Sequence, residues 1–411
     1  MKRYLVLVAL FFLALIAYVD RACISSTKEP LAHALALSDS AMGLVFGAFA
    51  LGYALAQIPA GWFADKTGPR LTLVLIVSLW SVLTTMTGAS LGLLMLLTVR
   101  FLVGVAEAGV FPSSARAIYN WLPKKERGLA NGVVFSGSRI GAALAFPLLA
   151  YLLKSLSWRV IFGLLGALGL SWVGLWTLFS RNLPGQAHTE LGGIAASGAP
   201  KVFGQILRSR RMALTMTQYF ASNFTFFIAL SWMYPYLKSH YSLSSSQAAT
   251  FTMFPLLFGA SAQWLSGFLV DFLYRHNFGA QSRRLPAIAG FLLSACAVLA
   301  VTQAGSALEA EFWFCLSTFG CEMTISPSWA YCIDMGKAAS GVVSASMNMA
   351  GNLGAFVSAN AFPLLQHLAG NSSAFFKTAA FLDAVAIFCW FWMQPEKRSR
   401  NGEEPDSVFA S

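Results

Sequence analysis

Charge is what this 411-residue chain has little of. Asp, Glu, Lys and Arg make up 11% of it and hydrophobic residues 57%, against roughly 25% charged residues in an ordinary soluble domain. A shortage of that size excludes a water-soluble globular fold and makes lipid the fitting solvent. Segments of about ten residues alternating polar and apolar, the mark of a membrane barrel, are also missing. Helices remain as the elements that satisfy their own backbone in hydrocarbon. The six cysteines form no C-x-x-C pair, so neither a metal site nor a disulfide framework is indicated. Small packing residues with inert thiols are the simpler reading. No Ser–His pair, metal cluster or phosphate loop is evident: His188 and His276 fall in loops, and His33, His240 and His367 near helix ends. Neither an enzyme nor a cofactor is expected.

What the chain does have is a succession of apolar runs. Twelve spans are read, at 4–26, 40–63, 71–90, 92–115, 129–153, 158–180, 212–236, 247–271, 286–304, 309–333, 341–364 and 373–394. The first begins MKRYLVLVALFFLAL, like a secretory signal, but no small-x-small cleavage site follows the apolar core. It is expected to be kept as the first helix. Its unbroken apolar part, Tyr4 to Val19, is shorter than the roughly 20 residues a bilayer requires. Asp20 and Arg21 are therefore expected inside the membrane.

The net charge of +11 raises the question of nucleic acid, and its distribution answers it. With a cytoplasmic amino terminus, 19 of the 28 Lys and Arg fall on the cytoplasmic side and 5 outside; Arg21, Arg100, Arg116 and Arg139 fall on spans. That is the positive-inside pattern, and it puts both termini in the cytoplasm. Residues 181–211, polar and rich in Gly, Ala and Ser with a basic end, read as a cytoplasmic linker. They separate two six-helix bundles, 1–180 and 212–395, and 396–411 is a short charged cytoplasmic tail.

The two halves repeat each other faintly. AEAGVFPSS (106–114) aligns with CEMTISPSW (321–329), so that Glu107, Pro112 and Ser113 each match a like residue, Glu322, Pro327 and Ser328, 215 positions on. GWFADKTGPR (61–70) has a damaged echo in GFLVDFLYR (267–275), and SGSRIGAA (136–143) in AGNLGAF (350–356). Parallel six-helix repeats of this kind are the arrangement of the major facilitator fold. GWFADKTGPR also resembles that superfamily's G-x-x-x-D-x-x-G-x-R signature. Within the superfamily the chain resembles the anion:cation symporter family, through YVDRACIS, RFLVGVAEAGVFP, QYFASNFTFF, SPSWAYCIDMG and SMNMAGNLGAFVS. The resemblance implies an all-α polytopic membrane protein of twelve transmembrane helices in two pseudo-symmetric bundles, in the inner membrane of a bacterium. It implies import of a sugar acid or other carboxylate with protons, by alternating access. The expected partners are a small organic anion, protons and the bilayer, with no nucleic acid and a monomeric state.

Charges inside a span cost at least about 2.5–3.5 kcal/mol each, so they mark function. Six are taken as candidates: Asp20, Arg21, Arg100, Glu107, Arg139 and Glu322. Three are positive and three negative. Arg keeps its proton, whereas carboxyls in low dielectric can be driven neutral, a division that suits proton-coupled anion transport. Arg100 and Glu107, seven apart, share a helix face, while Asp20 and Arg21, adjacent, diverge and need separate partners. By resemblance Asp20 and Glu107 are proton-coupling acids, Arg21 clamps the substrate carboxylate, and Arg100 answers to the acids. Glu322 joins the proton-coupling set and Arg139 the binding set; a structural Arg139–Glu322 pair is the alternative. Tyr53, Gln57, Asn223, Asn348 and Asn352 are expected to bind hydroxyls or to act as hydrogen-bonding glue between helices. Asp65 and Arg70 are expected to gate by bridging the second span to the eleventh. Asp271 is placed with them as a gating candidate, although its copy of the motif, GFLVDFLYR, is not intact.

Rival functions are also measured against the residues. Drug antiporters of this fold carry G-x-x-x-G-P-x-x-G-G on the fifth span, which here reads GSRIGAALAFP; organophosphate antiporters place an Arg on the seventh, which here has no basic residue in QYFASNFTFFIAL. Export of a carboxylate-bearing metabolite and an anion sensor without transport are the alternatives.

Overall fold

The computed structural model describes residues 2–179 and 208–393. Most of the proposed linker, 181–207, and the tail, 396–411, lie outside the described residues. In chain order the helices begin with α1 (Lys2–Ser26), α2 (Lys28–Ala34), α3 (Asp39–Thr67) and α4 (Pro69–Gly88). They continue with α5 (Leu93–Glu107), α6 (Val110–Trp121), α7 (Arg127–Leu152) and α8 (Trp158–Phe179). After the linker come α9 (Arg210–Ser231), α10 (Met233–His240), α11 (Ser245–Arg275) and α12 (Gln281–Val301). The last four are α13 (Ala307–Met323), α14 (Ile325–Gly336), α15 (Ser340–Ala369) and α16 (Ser373–Trp392).

Boundaries follow local chemistry. Ser38 caps α3 by accepting from the Ala41 N–H at 3.2 Å, and Ser244 with Gln247 forms a reciprocal capping box on α11. Gly68, at φ 82°, takes the left-handed backbone between α3 and α4, and Pro69 supplies a preset first helical turn. The T-G-P of the signature is thus the turn itself. The sequence spans 92–115 and 309–333 each prove to be two helices, α5 with α6 and α13 with α14. Pro112 and Pro327 offer no N–H to the carbonyl four residues back. The Met323 carbonyl so released accepts from the Ser266 hydroxyl.

Among the described residues nine helical stretches are long and apolar enough to cross a membrane. The sequence spans 212–236, 309–333 and 341–364 fall outside that set. The first and last are diluted by polar residues such as Gln218, Asn223, Asn348 and Asn352, and 309–333 is divided into helices of 17 and 12 residues. α4 shows how a spanning helix is turned. Leu71, Leu75, Leu79, Val82 and Met86 form a stripe between 40% and 52% exposed, whereas Thr72, Trp80, Ser81 and Thr84 are buried. Apolar outside and polar inside is the order lipid imposes.

Cα packing divides the chain into two compact units. Among the described residues the first comprises 2–122, 137–179 and 338–345; its helices α3 and α5, and α4 and α8, pack along their lengths. The second comprises 123–136, 208–337 and 346–393, with α13 against both α11 and α12, and α16 against α9 and α12. Both α7 and α15 therefore contribute their first turns to one unit and the rest to the other.

Candidate functional site

In the first unit, glycines set the geometry. A Cβ on Gly52 would strike the Phe101 carbonyl, and one on Gly104 the Phe49 carbonyl, so α3 and α5 touch backbone to backbone. That contact brings Phe49 and Tyr53 against Arg100 and Glu107. Gly137 and Gly141 of α7 lie equally close to the Phe11 and Leu15 carbonyls of α1, which carries Arg139 to Tyr18.

Asp20 and Arg21 do diverge to separate partners. Asp20 Oδ2 accepts from Trp80 Nε1 at 2.5 Å and from the Thr84 hydroxyl at 2.9 Å, both on α4. Arg21 Nε donates to Glu107 Oε1 at 2.5 Å. The Arg21 guanidinium also sits over the rings of Tyr53 at 4.6 Å, Tyr18 at 4.9 Å and Phe49 at 5.4 Å. Each such contact is worth about 2 kcal/mol when desolvated, so the side chain is held stiffly. Arg100 stacks on the other occupant of that wall, Phe49, at 4.8 Å, and lies within electrostatic reach of both Asp20 and Glu107. Arg139 Nη1 donates to the Tyr18 hydroxyl at 3.3 Å and stands 5.6 Å from its ring centre. Tyr18 thus bridges two guanidinium groups.

Burial separates the roles within this cluster. Glu107, Asp20 and Arg100 are 0%, 2% and 2% exposed, while the Arg21 side chain keeps 21% exposure. Of these four, Arg21 keeps the most exposure. The network is also under-satisfied: Asp20 Oδ1, Arg21 Nη2, Arg100 Nε and Glu107 Oε2 are buried without a hydrogen-bond partner among the described residues. Orphaned polar atoms are rare in folded proteins and call for an explanation. Tyr53 and Gln57 are buried beside the cluster on α3.

The second unit holds the other candidates. Glu322, fully buried at the end of α13, accepts from Gln263 Nε2 of α11. Gly259 makes that possible, because a Cβ there would press on Glu322 Cγ at 2.9 Å. Asn223 and Asn352 turn their amide nitrogens onto the carbonyls of Tyr219 and Asn348, one turn back on their own helices. Asn348 is buried at 8% exposure.

The gating candidates form two matching clamps. Asp65 accepts from the N–H groups of Gly341 and Val342 at 2.9 and 2.8 Å, in the first turn of α15. Asp271 accepts from those of Gly128 and Leu129 at 2.9 and 2.8 Å, in the first turn of α7. A carboxylate there meets unpaired donors and the positive end of the helix dipole. The damaged motif copy therefore keeps its clamp, because the contact needs the carboxylate and a facing helix end, not the glycine or arginine that follow. The cation beside Asp65 is Arg116, at 3.9 Å. Arg70 contributes its main-chain carbonyl, which accepts from Trp176 Nε1 at 3.3 Å.

Several residues of these sites are not among the sequence candidates. Tyr18, Trp80 and Thr84 are uncharged and give no signal on an apolar helix, so only packing shows what they face; Arg116 carries a signal, as an arginine on a span, but stands outside the six. Asp383 is different: an acid midway along the last span, it meets the criterion applied to the six.

An all-helical polytopic membrane protein with paired charges in its spans is a membrane transporter by class. The chain belongs to the Major Facilitator Superfamily, whose model matches residues 10–359. It is 30% identical over 404 residues to a probable sulfoacetate transporter of Cupriavidus necator, covering 96% of this chain and 94% of that one. It is 29% identical over 408 residues to a D-galactonate transporter of Escherichia coli, covering 94% and 93%. With a probable galactarate/D-glucarate transporter of Escherichia coli K12 it shares 32% identity, covering 71% of each. These relatives agree with the resemblance to anion carriers read in the sequence. Among solved structures it is similar to FucP in the outward conformation, with TM-score 0.78 and 13% identity, covering 96% of this chain and 100% of that one. The proton:xylose symporter XylE gives TM-score 0.75 and 16% identity, covering 96% of each. The protein is a multi-pass integral membrane transporter, and it is not an enzyme.

Proposed function

We propose that the protein imports an organic anion, a sugar acid or a similar small carboxylate or sulfonate, together with protons, across a bacterial cytoplasmic membrane. In this reading twelve helices cross the bilayer in two bundles, 1–180 and 212–395, joined by a cytoplasmic linker at 181–211, with both termini cytoplasmic. The anionic group is taken by Arg21, with Arg139 beside it across the Tyr18 ring. Asp20 and Glu107 load and release the proton, Arg100 answers to their charge, and Glu322 is the further acid in the second unit. Tyr53, Gln57, Asn223, Asn348 and Asn352 take hydroxyl groups. The clamps of Asp65 and Asp271 on helix amino termini are the contacts that alternating access makes and breaks.

One observation carries this reading: the Arg21–Glu107 ion pair, with an orphaned atom on each partner, at the most exposed edge of an otherwise closed charge cluster. An arriving anion competes with Glu107 for Arg21, and Glu107 then takes a proton in place of its lost cation. Anion and proton are coupled because they relieve the same charge imbalance. The relatives' anions, sulfoacetate, galactonate and glucarate, support the substrate class.

The test uses purified protein in liposomes that enclose a pH dye, to which galactonate, glucarate, sulfoacetate or a neutral sugar is added. Lumenal acidification with one of the anions and none with the neutral sugar is expected. Glu107→Gln is expected to abolish acidification yet keep exchange of labelled for unlabelled anion. Exchange without acidification in the wild type would overturn proton coupling; an equal response to the neutral sugar would overturn the substrate class.

A further inference from the structure

A second buried carboxyl lies in the other unit, apart from every group used above. Asp383 of α16 is fully buried. Its Oδ1 is 3.0 Å from the Thr225 hydroxyl of α9, and its Oδ2 is 2.7 Å from the Ser294 hydroxyl of α12. Ser294 Oγ lies 3.2 Å from Cys321 Sγ of α13, and Cys321 Sγ lies 3.7 Å from the Ser222 carbonyl of α9.

Hydrogens along this chain can be counted. The contacts Asp383–Ser294, Ser294–Cys321 and Cys321–Ser222 each need one hydrogen, and the Ser222 carbonyl has none to give. Ser294 and Cys321 supply one each. Thr225 supplies its own hydrogen to the other carboxyl oxygen and adds none to the chain. One contact is left without a hydrogen unless Asp383 brings it. With the proton on Oδ2, the acid donates to Ser294, Ser294 to Cys321, and Cys321 to the carbonyl. Every contact in the chain then has its hydrogen, whereas without that proton two heavy atoms face each other with no hydrogen between them.

Charge balance points the same way. The elements packed against Asp383 present Thr225 and Ser222 from α9, Ser294 from α12 and Cys321 from α13, followed by Glu322. No cation pairs with Asp383 among the described residues. The arginines of the neighbouring helices stand elsewhere: Arg283 pairs with Asp334, Arg284 donates to the Trp390 and Met393 carbonyls, and Arg210 lies over the Trp392 ring. Arg211 is exposed in the first turn of α9, about 21 Å along the helix from Thr225. An uncompensated carboxylate within a membrane is expensive, and one proton removes that charge.

We propose that Asp383 is a proton-binding site of the second unit, holding its proton at neutral pH in a hydrogen-bonded chain through Ser294 and Cys321. Binding adds one proton to a carboxylate oxygen and changes no other bond. The assignment does not rest on the transport function proposed above.

Infrared difference spectroscopy on the purified full-length protein tests it. At neutral pH the wild type should show a protonated-carboxyl carbonyl stretch that shifts on deuteration and is missing from Asp383→Asn. Ser294→Ala keeps the acid and removes its acceptor, so the same band should move to higher frequency; this variant decides the matter if Asp383→Asn does not fold. A wild-type band left unchanged by both substitutions would overturn the proposal. So would loss of a carboxylate band, instead of an acid band, in Asp383→Asn. Disappearance of the acid band on adding sodium at constant pH would assign the site to that cation and also overturn it.

Discussion

Arg21 carries more contacts than a surface arginine can. Glu107 holds its Nε, and three aromatic rings wall its guanidinium. A lysine in its place would keep the charge but lose the planar fork and the stacking. Arg21→Lys is therefore expected to weaken anion affinity at least about tenfold, since charge-assisted hydrogen bonds contribute about 1.5–3 kcal/mol and about 1.4 kcal/mol is tenfold. Equilibrium binding of labelled anion to purified protein measures it, and unchanged affinity would remove Arg21 from the site. Tyr18→Phe is a finer probe. It keeps the ring over Arg21 and deletes the hydroxyl that accepts from Arg139. A net hydrogen bond contributes about 0.5–1.5 kcal/mol, so affinity should fall between about twofold and tenfold if Arg139 acts on the substrate. No change would leave Arg139 a structural residue.

At the scale of elements, two features decide how helices meet. The first is backbone contact between α3 and α5 at Gly52 and Gly104. Gly104→Ala places a methyl group against a carbonyl that cannot step aside, and overpacking of this kind costs about 1–3 kcal/mol. Gly163→Ala, on α8 with open space around it, should instead be neutral or gain up to about 1 kcal/mol from helix propensity. Thermal unfolding in detergent compares the two, and equal shifts would mean that the glycine contact does not hold the helices. The second feature is the pair of carboxylate clamps. Asn in place of Asp65 or Asp271 can accept from one N–H but not from two in the same way, and it leaves the helix dipole unanswered. Each substitution should cost about 1–3 kcal/mol, and by similar amounts, because the two sets of distances agree within 0.1 Å. A loss at Asp65 with none at Asp271 would show that the second clamp is idle.

For the molecule as a whole, the proposed coupling makes a statement about gradients. Protons that enter with the anion make accumulation depend on the proton gradient, and exchange of anion for anion independent of it. A protonophore should therefore abolish net accumulation in liposomes while leaving exchange intact. Lowering the outside pH at fixed inside pH should speed uptake, because it raises the concentration of a co-substrate. Accumulation that survives the protonophore would point to another driving ion. The chain connectivity bears on the same cycle: α7 and α15 each begin in one unit and continue in the other, and each begins on a carboxylate clamp.

The sequence by itself determined the solvent, the helical class, the family and most of the charged cluster. These are one-dimensional properties: apolar run length, the scarcity of charge, and motifs such as GWFADKTGPR that keep their spacing. Asp20, Arg21, Arg100 and Glu107 stand out in sequence because a charge in an apolar run has no bland explanation. Tertiary structure alone decided which acid meets which base, and why Arg21 keeps part of its exposure while Arg100 does not. It also showed the breaks at 108–109 and Thr324, whose proline signal was present but whose consequence depends on a side chain such as Ser266 arriving to take the freed carbonyl. Asp271 gives the reverse case, with a motif damaged in sequence and a contact intact in space. A clamp is made by a carboxylate and two N–H groups more than a hundred residues away, and spacing along one chain does not record what lies across from it.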